Sequence, residues 1–240
     1  MKTLVILQSN YIPWKGYFDL MAVADEFILF DEVQYTKNDW RNRNKIVLNG
    51  KLHWLTIPVA IPGRTLIRDV QTAGNEWPRI HQETIRQAYR KAPYFDWASP
   101  TLEEAYQQAS TLKHLSQINA LFLKSLAGLL GLSTPLVPSD EVYRTTDDPT
   151  ARLIEICRSR GATHYVSGPA ARAYIDQRRF EDAGIVLEYA SYEGYPVYEQ
   201  GNDAFEHGVS VVDLLMRVGS SARDHLKSLR NRSSFLLPAS

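Results

Sequence analysis

The stretch from Thr3 to Glu32, TLVILQSNYIPWKGYFDLMAVADEFILFDE, decides how this chain is built. Thr3 to Leu7 is a continuous β-type run, and Phe27 to Phe30 is a second. Runs that do not alternate with polar residues mark strands buried on both faces, as in parallel sheets. Between them Tyr17, Phe18, Leu20, Met21 and Ala24 recur at helical spacing. Pro13 stands at the helix start, where its missing N–H has no bond to lose. Strand, polar turn, helix and strand in this order predict a βαβ unit.

Working outward, Ile46–Leu48 and Leu52–Val59 flank Asn49-Gly50, the favoured pair for a tight β-hairpin turn. Helical periodicity then dominates: one helix from Asn75 or Glu76 to Arg90, one started by Ser99-Pro100 and running to Gln108, and one from Leu112 to Leu130 closed by Gly131. The last third returns to alternation. Strands are expected at Pro135–Pro138, His164–Ser167 and Ile185–Tyr189, with helices at Pro149–Arg160 (capped by Asp147 or Asp148), Pro169–Ile175 and Val209–Val218. The expected fold is α/β: a Rossmann-like, mostly parallel sheet with helices on both faces and a central helical insertion. Residues 1–220 read as one domain with the insertion at about 75–132, and 221–240 as a basic, disordered tail carrying Arg223, Lys227, Arg230 and Arg232.

The chain has 240 residues, enough for a sizeable core. Lysine plus arginine and aspartate plus glutamate number 27 each, so global charge argues for no particular partner and against nucleic-acid binding driven by bulk basicity. No apolar run approaches membrane-spanning length, and the N-terminus lacks a secretory pattern. Cys157 is the sole cysteine and falls on a helix face, a core position; a single cysteine builds neither a disulfide framework nor a cysteine zinc site. These features point to the cytoplasm and to no membrane partner.

The sequence holds no phosphate-binding P-loop, no GxGxxG, no GxSxG and no HExxH, so it offers no metal signature and no common nucleotide or hydrolase motif. Its chemistry is concentrated after the first two strands. In open α/β sheets ligands sit outside the carboxyl ends of strands, near the point where strand order reverses. Gln8, Asn10 and Tyr11 follow the first strand, the run Asp31–Arg43 the second, and Ser167 and Gly168 the His164 strand. These loops are expected to meet at one rim. Adjacent residues on an extended chain face opposite ways, so one of Asp31 and Glu32 faces the site; Asp31 is the candidate catalytic carboxylate, an Asx turn being the alternative. Arg41, Arg43 and Lys45 alternate by two and would share a face suited to phosphate, unless they pair with Asp31, Glu32 and Asp39 nearby. The candidate set is Asp31 and Gln8 for catalysis, and Asn10, Tyr11, Lys37, Arg41, Arg43, Asn44, Lys45, Ser167 and Gly168 for substrate or phosphate. Tyr189, Tyr192, Tyr195 and Tyr198 cluster after the last strand and would wall the site or pack.

The strings QSNYIPWKGYFDLM, DEVQYTKNDWRNRNKI, WLTIPV, YVSGPAARAYID and YPVYEQ, with VSVVDLLMRVG at the end, resemble the WbqC-like protein family over nearly the whole chain. Members of that family lie in bacterial O-antigen and surface-polysaccharide gene sets, and the resemblance implies a glycine or other aminoacyl transferase. Many members open with His-Gln-Pro where this chain has Leu7-Gln8-Ser9, so a role for that histidine does not carry over. The Pro13–Tyr17 turn also faintly resembles the P-x-H-x-G-H turn of the nucleotidyltransferase and aminoacyl-tRNA synthetase superfamily, with both histidines missing.

The expected activity is transfer of an acyl group, glycyl by the resemblance, to the amine of a nucleotide-linked amino sugar. The cationic row would hold the phosphates, Asp31 would orient or deprotonate the amine, and the amides of Gln8, Asn10 and Asn44 would face the oxyanion. The cofactor is open between ATP, forming an aminoacyl adenylate in place, and a preformed activated aminoacyl donor; aminoacyl-tRNA is the one nucleic-acid partner this admits. The alternatives are a nucleotidyltransferase acting on a sugar phosphate and a non-catalytic nucleotide-sugar binding protein.

Overall fold

A computed structural model of the chain describes residues 1–139, 148–201 and 204–239. The opening unit forms β1 (Thr3–Leu7), α1 (Lys15–Val23) and β2 (Glu26–Leu29). The hairpin follows as β3 (Arg43–Leu48) and β4 (Lys51–Thr56), in register from Arg43 opposite Thr56 to Leu48 opposite Lys51. Its turn residues Asn49 and Gly50 both have positive φ, 50° and 73°, which a two-residue turn of this hand requires. Two short strands, β5 (Val59–Ala60) and β6 (Gln71–Thr72), pair before the insertion of α2 (Trp77–Tyr89), α3 (Phe95–Ala109) and α4 (Leu115–Leu129). Then come β7 (Leu136–Pro138), α5 (Pro149–Ser159), β8 (His164–Ser167), α6 (Gln177–Asp182), β9 (Val186–Ala190) and α7 (Val211–Val218).

Six strands make the main sheet in the order β10-β9-β8-β1-β2-β7, where β10 is Leu236–Pro238. All neighbours are parallel except β10, which runs antiparallel to β9. The chain moves from β1 through β2 to β7 on one side, then returns to β8 beside β1 and moves the other way. The order therefore reverses between β1 and β8, and the fold is Rossmann-like α/β. The strands are apolar on both faces because both faces are covered. Val5, Phe27, Leu29 and Val166 enter a core with α1, the insertion and α7; Leu4, Ile6, Ile28 and Tyr165 enter another with α5 and α6. Cys157 lies fully buried in the second core, and burial pushes its thiol up to about 12, so it is a packing residue.

Two expectations need correction. Of the segment 221–240 expected as a disordered tail, residues 221–239 are ordered, and residue 240 lies outside the described residues. Residues Gly219–His225 form 3₁₀ turns, Lys227–Arg230 (α8) and Arg232–Phe235 (α9) are helical, and β10 completes the sheet. Leu226 and Phe235 are fully buried in the first core, so four spaced cations conceal an element held by a few apolar anchors. The helix expected to start at Pro100 starts instead at Phe95, with Pro100 in its second turn. Proline marks the beginning of a helix without fixing its first residue. Of the two caps considered for α5, Asp148 accepts the Ala151 N–H at 2.7 Å; Asp147 lies outside the described residues.

Candidate functional site

The tip of β1 is where the sheet's strand order reverses, and the site is built around it. Gln8 and Asn10 each turn their side-chain oxygen to the guanidinium of Arg41: Nη2 donates to Gln8 Oε1 at 3.0 Å and Nη1 donates to Asn10 Oδ1. Asp39 adds an ion pair at 3.6 Å. Ser9, between them, is buried; its N–H donates to Asp31 Oδ1 at 2.8 Å and its Oγ accepts from Asn119 Nδ2 at 3.1 Å. Asn119 of α4 also donates to the Arg41 carbonyl at 2.9 Å. The insertion thus clamps both sides of the Gln8–Arg41 contact.

The alternation of the WRNRNK segment resolves into two faces, as period two demands. Asn42 and Asn44 point inward. Asn42 accepts from Tyr35 Oη at 2.8 Å and donates to the Ile57 carbonyl at 2.8 Å. Asn44 donates to the carbonyls of Tyr11 and Ile12, at 3.2 and 3.1 Å. Ile12 has φ of 36°, a conformation a β-branched residue rarely adopts, and Asn44 holds it there. Arg43 and Lys45 point outward to a pair of half-exposed indoles: Arg43 lies 4.4 Å over Trp54, and Lys45 Nζ is 5.9 Å from the ring centres of both Trp40 and Trp54. The two rings sit 5.6 Å apart at 30°. Arg43 also donates to Asn38, and Lys45 pairs with Glu206 at 3.3 Å. Lys37 is exposed on the same loop.

Two cavities flank the β1 tip. One, of about 280 Å³, is lined by Asn10, Pro13, Trp14, Trp40, Asn44 and Gly208. The other, of about 330 Å³, lies at the ends of β2 and β7, with Asp31, Arg68 and His114 among its walls. Asp31 therefore opens on the side of the β1 loop away from Trp40. Glu32, also buried, is held by Arg68 at 3.0 Å.

The remaining candidates are placed as follows. Tyr11 is fully buried and points into the insertion, its hydroxyl 2.8 Å from His81 Nδ1 and 2.6 Å from Tyr106 Oη. Ser167 ends β8, buried and bonded to Tyr165 Oη at 3.2 Å on the α5–α6 side. A side chain at Gly168 would come within 3.3 Å of Tyr192 Oη, and Tyr192 packs edge-on against Trp14 at 4.9 Å. Gln8, Asn10 and Arg41 are thus brought into direct contact, with Asn44, Arg43, Lys45 and Trp40 around them. Tyr11 and Ser167 face other layers.

Residues outside the candidate set stand close by. Trp14 folds its indole over Gly16, where a Cβ would lie 2.2 Å from the ring, so only glycine fits there. Lys15, in a helix with eight of its nine residues buried, is only 3% exposed. Its Nζ is 3.1 Å from His207 Nδ1 and 5.1 to 5.5 Å from the ring centres of Tyr195, Tyr198 and Phe205. Burial brings its ammonium down to about 8, against the pull of Asp213 and Asp19. A lysine in a largely apolar helix, with Asp19 one turn further on, was the visible signal. The partners come from residues far along the chain and had none. Among the described residues, no group of three or more His, Cys, Asp or Glu could hold a metal ion.

The fold defines a Rossmann-like α/β protein, with cations, amides and indoles gathered as a candidate site at the sheet's switch point. The chain belongs to the WbqC-like protein family, whose model matches residues 8–225. It is similar to the uncharacterized protein Rv1507c of Mycobacterium tuberculosis (strain ATCC 25618 / H37Rv), with 43% identity over 237 residues, covering 96% of this chain and 100% of that protein. No solved structure matches. Among the described residues no helix is long and apolar enough to cross a membrane.

Proposed function

We propose that this protein is an aminoacyl-type transferase that joins an amino acid, glycine by the family's setting, to the amine of a nucleotide-linked amino sugar used for bacterial surface polysaccharide, in the cytoplasm. One observation carries the reading: Arg41 is gripped by Gln8 and Asn10 beside a cavity walled by Trp14 and Trp40. An indole wall offers a face for a base or sugar ring. A rigidly held guanidinium, with Arg43 and Lys45 on the same outer face and Lys37 nearby, suits a diphosphate.

In this reading the two substrates take the two cavities separately. The nucleotide sugar occupies the Trp40 side. The aminoacyl donor occupies the Asp31 side, where the carboxylate holds the donor's own ammonium. The acyl carbonyl then lies at the β1 tip between them. Gln8 and Asn10 have turned their oxygens to Arg41, so their amide N–H groups are the ends left to donate to the oxyanion. Asn44 has spent its amide on Tyr11 and Ile12. The donor is an aminoacyl adenylate formed from ATP or a preformed aminoacyl carrier.

The test is incubation with nucleotide amino sugars, amino acids and ATP, or with preformed aminoacyl esters, read by mass spectrometry. A product heavier by one aminoacyl group supports the reading. Nucleotide-sugar binding without any such product under every donor would replace it with a binding protein.

A further inference from the structure

Two rings of the YPVYEQ string, with Phe205 beyond it, surround a single amine. Tyr195, Tyr198 and Phe205 place their rings around Lys15 Nζ. The two carboxylates nearest in charge, Asp19 and Asp213, are occupied elsewhere. Asp19 accepts from Tyr195 Oη and from the backbone N–H groups of Lys227 and Ser228, at 2.6 to 2.7 Å. Asp213 accepts from Tyr89 Oη, Tyr198 Oη and Gln200 Nε2, at 2.8 to 3.0 Å, with Arg217 at 3.8 Å. Among the described residues the hydrogen bond of Lys15 is to His207 Nδ1, an imidazole nitrogen. A lysine without a bonded carboxylate, inside aromatic walls, is poised to lose its proton near neutral pH.

The pair also adjoins the Trp40 cavity. Trp14, before Lys15, and Gly208, after His207, both line it. His207 is exposed where Lys15 is buried, so the imidazole links the amine to solvent. Burial, then the charge of Lys15, lowers the affinity of His207 for a proton, and Glu206 opposes this. A proton arriving at Nδ1 is therefore passed on rather than kept.

We propose that neutral Lys15 is the proton acceptor for the attacking amine of the acceptor sugar, and that His207 relays the proton to water. This rests on the transferase reading. The sugar's neutral amine attacks the carbonyl carbon of an activated acyl ester or anhydride, and the carbonyl π pair moves to oxygen. The new C–N bond leaves a proton too many on nitrogen, and Lys15 Nζ takes it. The oxyanion collapses, and the donor's leaving group departs with its bonding pair. Lys15 returns to the neutral form by giving its proton to His207 Nδ1 and on to water. The net products are amide, leaving group and one proton.

Trace acetylation with acetic anhydride across pH 6 to 10, read by peptide mass spectrometry against a lysine reference peptide in the same tube, tests the amine without needing the natural substrate. Lys15 should reach half its limiting reactivity at about pH 8, where an ordinary lysine does so at about 10.4. His207→Ala should label faster. Lys15 titrating with the reference peptide, or resisting acetylation in both wild type and His207→Ala, would overturn the proposal. With a working acceptor and donor, Lys15→Arg should lower transfer at least 100-fold while keeping the thermal shift induced by uridine diphosphate; a wild-type rate would overturn it. Wild-type protein that transfers nothing while Lys15 titrates at pH 8 would sink the transferase reading and this step with it, and the labelling shows that the fault lies in the reaction assigned and not in the amine.

Discussion

The hydroxyl of Tyr11, on the β1 loop, lies 2.8 Å from Nδ1 of His81, in the middle of α2. The imidazole also bonds the backbone of Thr56, so it is held as a neutral ring with Nδ1 accepting from Tyr11. Burial lowers its pKa from 6.5 to about 4. The sign follows: the unfolded chain binds a proton as pH falls through 6.5 and the folded chain does not until about 4, so stability is lost across that window. The loss is on the order of 3 kcal/mol for the full shift. Urea midpoints should therefore drop between pH 7 and pH 4.5. In His81→Gln, which has no such titration, this part of the slope should vanish.

Arg41→Lys should weaken nucleotide-sugar binding about tenfold, or roughly 1.4 kcal/mol, because an ammonium cannot meet Gln8 and Asn10 together and still present a planar fork. Isothermal titration against a panel of nucleotide sugars measures this. The melting temperature without ligand should fall as well, because the Arg41 side chain is only 12% exposed and a lysine cannot keep its bonds to both Gln8 and Asn10.

Asn44→Ala removes the donor to both the Tyr11 and Ile12 carbonyls while leaving the β3–β4 pairing intact. The loss of two buried bonds and of the brace on a strained φ should cost about 2–3 kcal/mol. Chemical denaturation reports it, and nucleotide-sugar binding should fall with it because the Trp40 cavity loses its floor.

Trp40→Ala should abolish most of the tryptophan fluorescence change on nucleotide-sugar binding and weaken affinity by about 1–2 kcal/mol, the scale of a ring stacked on an indole. Trp54→Ala should act less, since Arg43 already covers that ring at 4.4 Å.

Truncation before Ala222 should leave the protein unfolded or aggregated. It removes β10, exposing the edge of β9, and it takes Leu226 and Phe235 out of the core. Phe235→Ala alone should cost about 3–5 kcal/mol. Circular dichroism melts and size-exclusion profiles check both.

Local sequence determined a good deal about this protein. Uninterrupted apolar strands can exist only where both faces are covered, which selects a mostly parallel sheet with helices on either side. Asn49-Gly50 adopts the positive φ of a tight hairpin without help from elsewhere, and the period of two in Arg41–Lys45 sorts cations from amides. Tertiary structure alone decided what those residues meet. Packing of the loop before β3 onto the β1 tip and Asn119 brought Gln8 beside Arg41. The insertion supplied Asn119 and His81, and the chain's last residues became a helix pair and an edge strand through a few buried side chains. Lys15 acquired its character from Tyr195, Tyr198 and His207, about 180 or more positions away. The physical reason is range: backbone propensity and periodicity act over a few residues, whereas charge, desolvation and hydrogen bonding depend on neighbours in space, which only the packed chain selects.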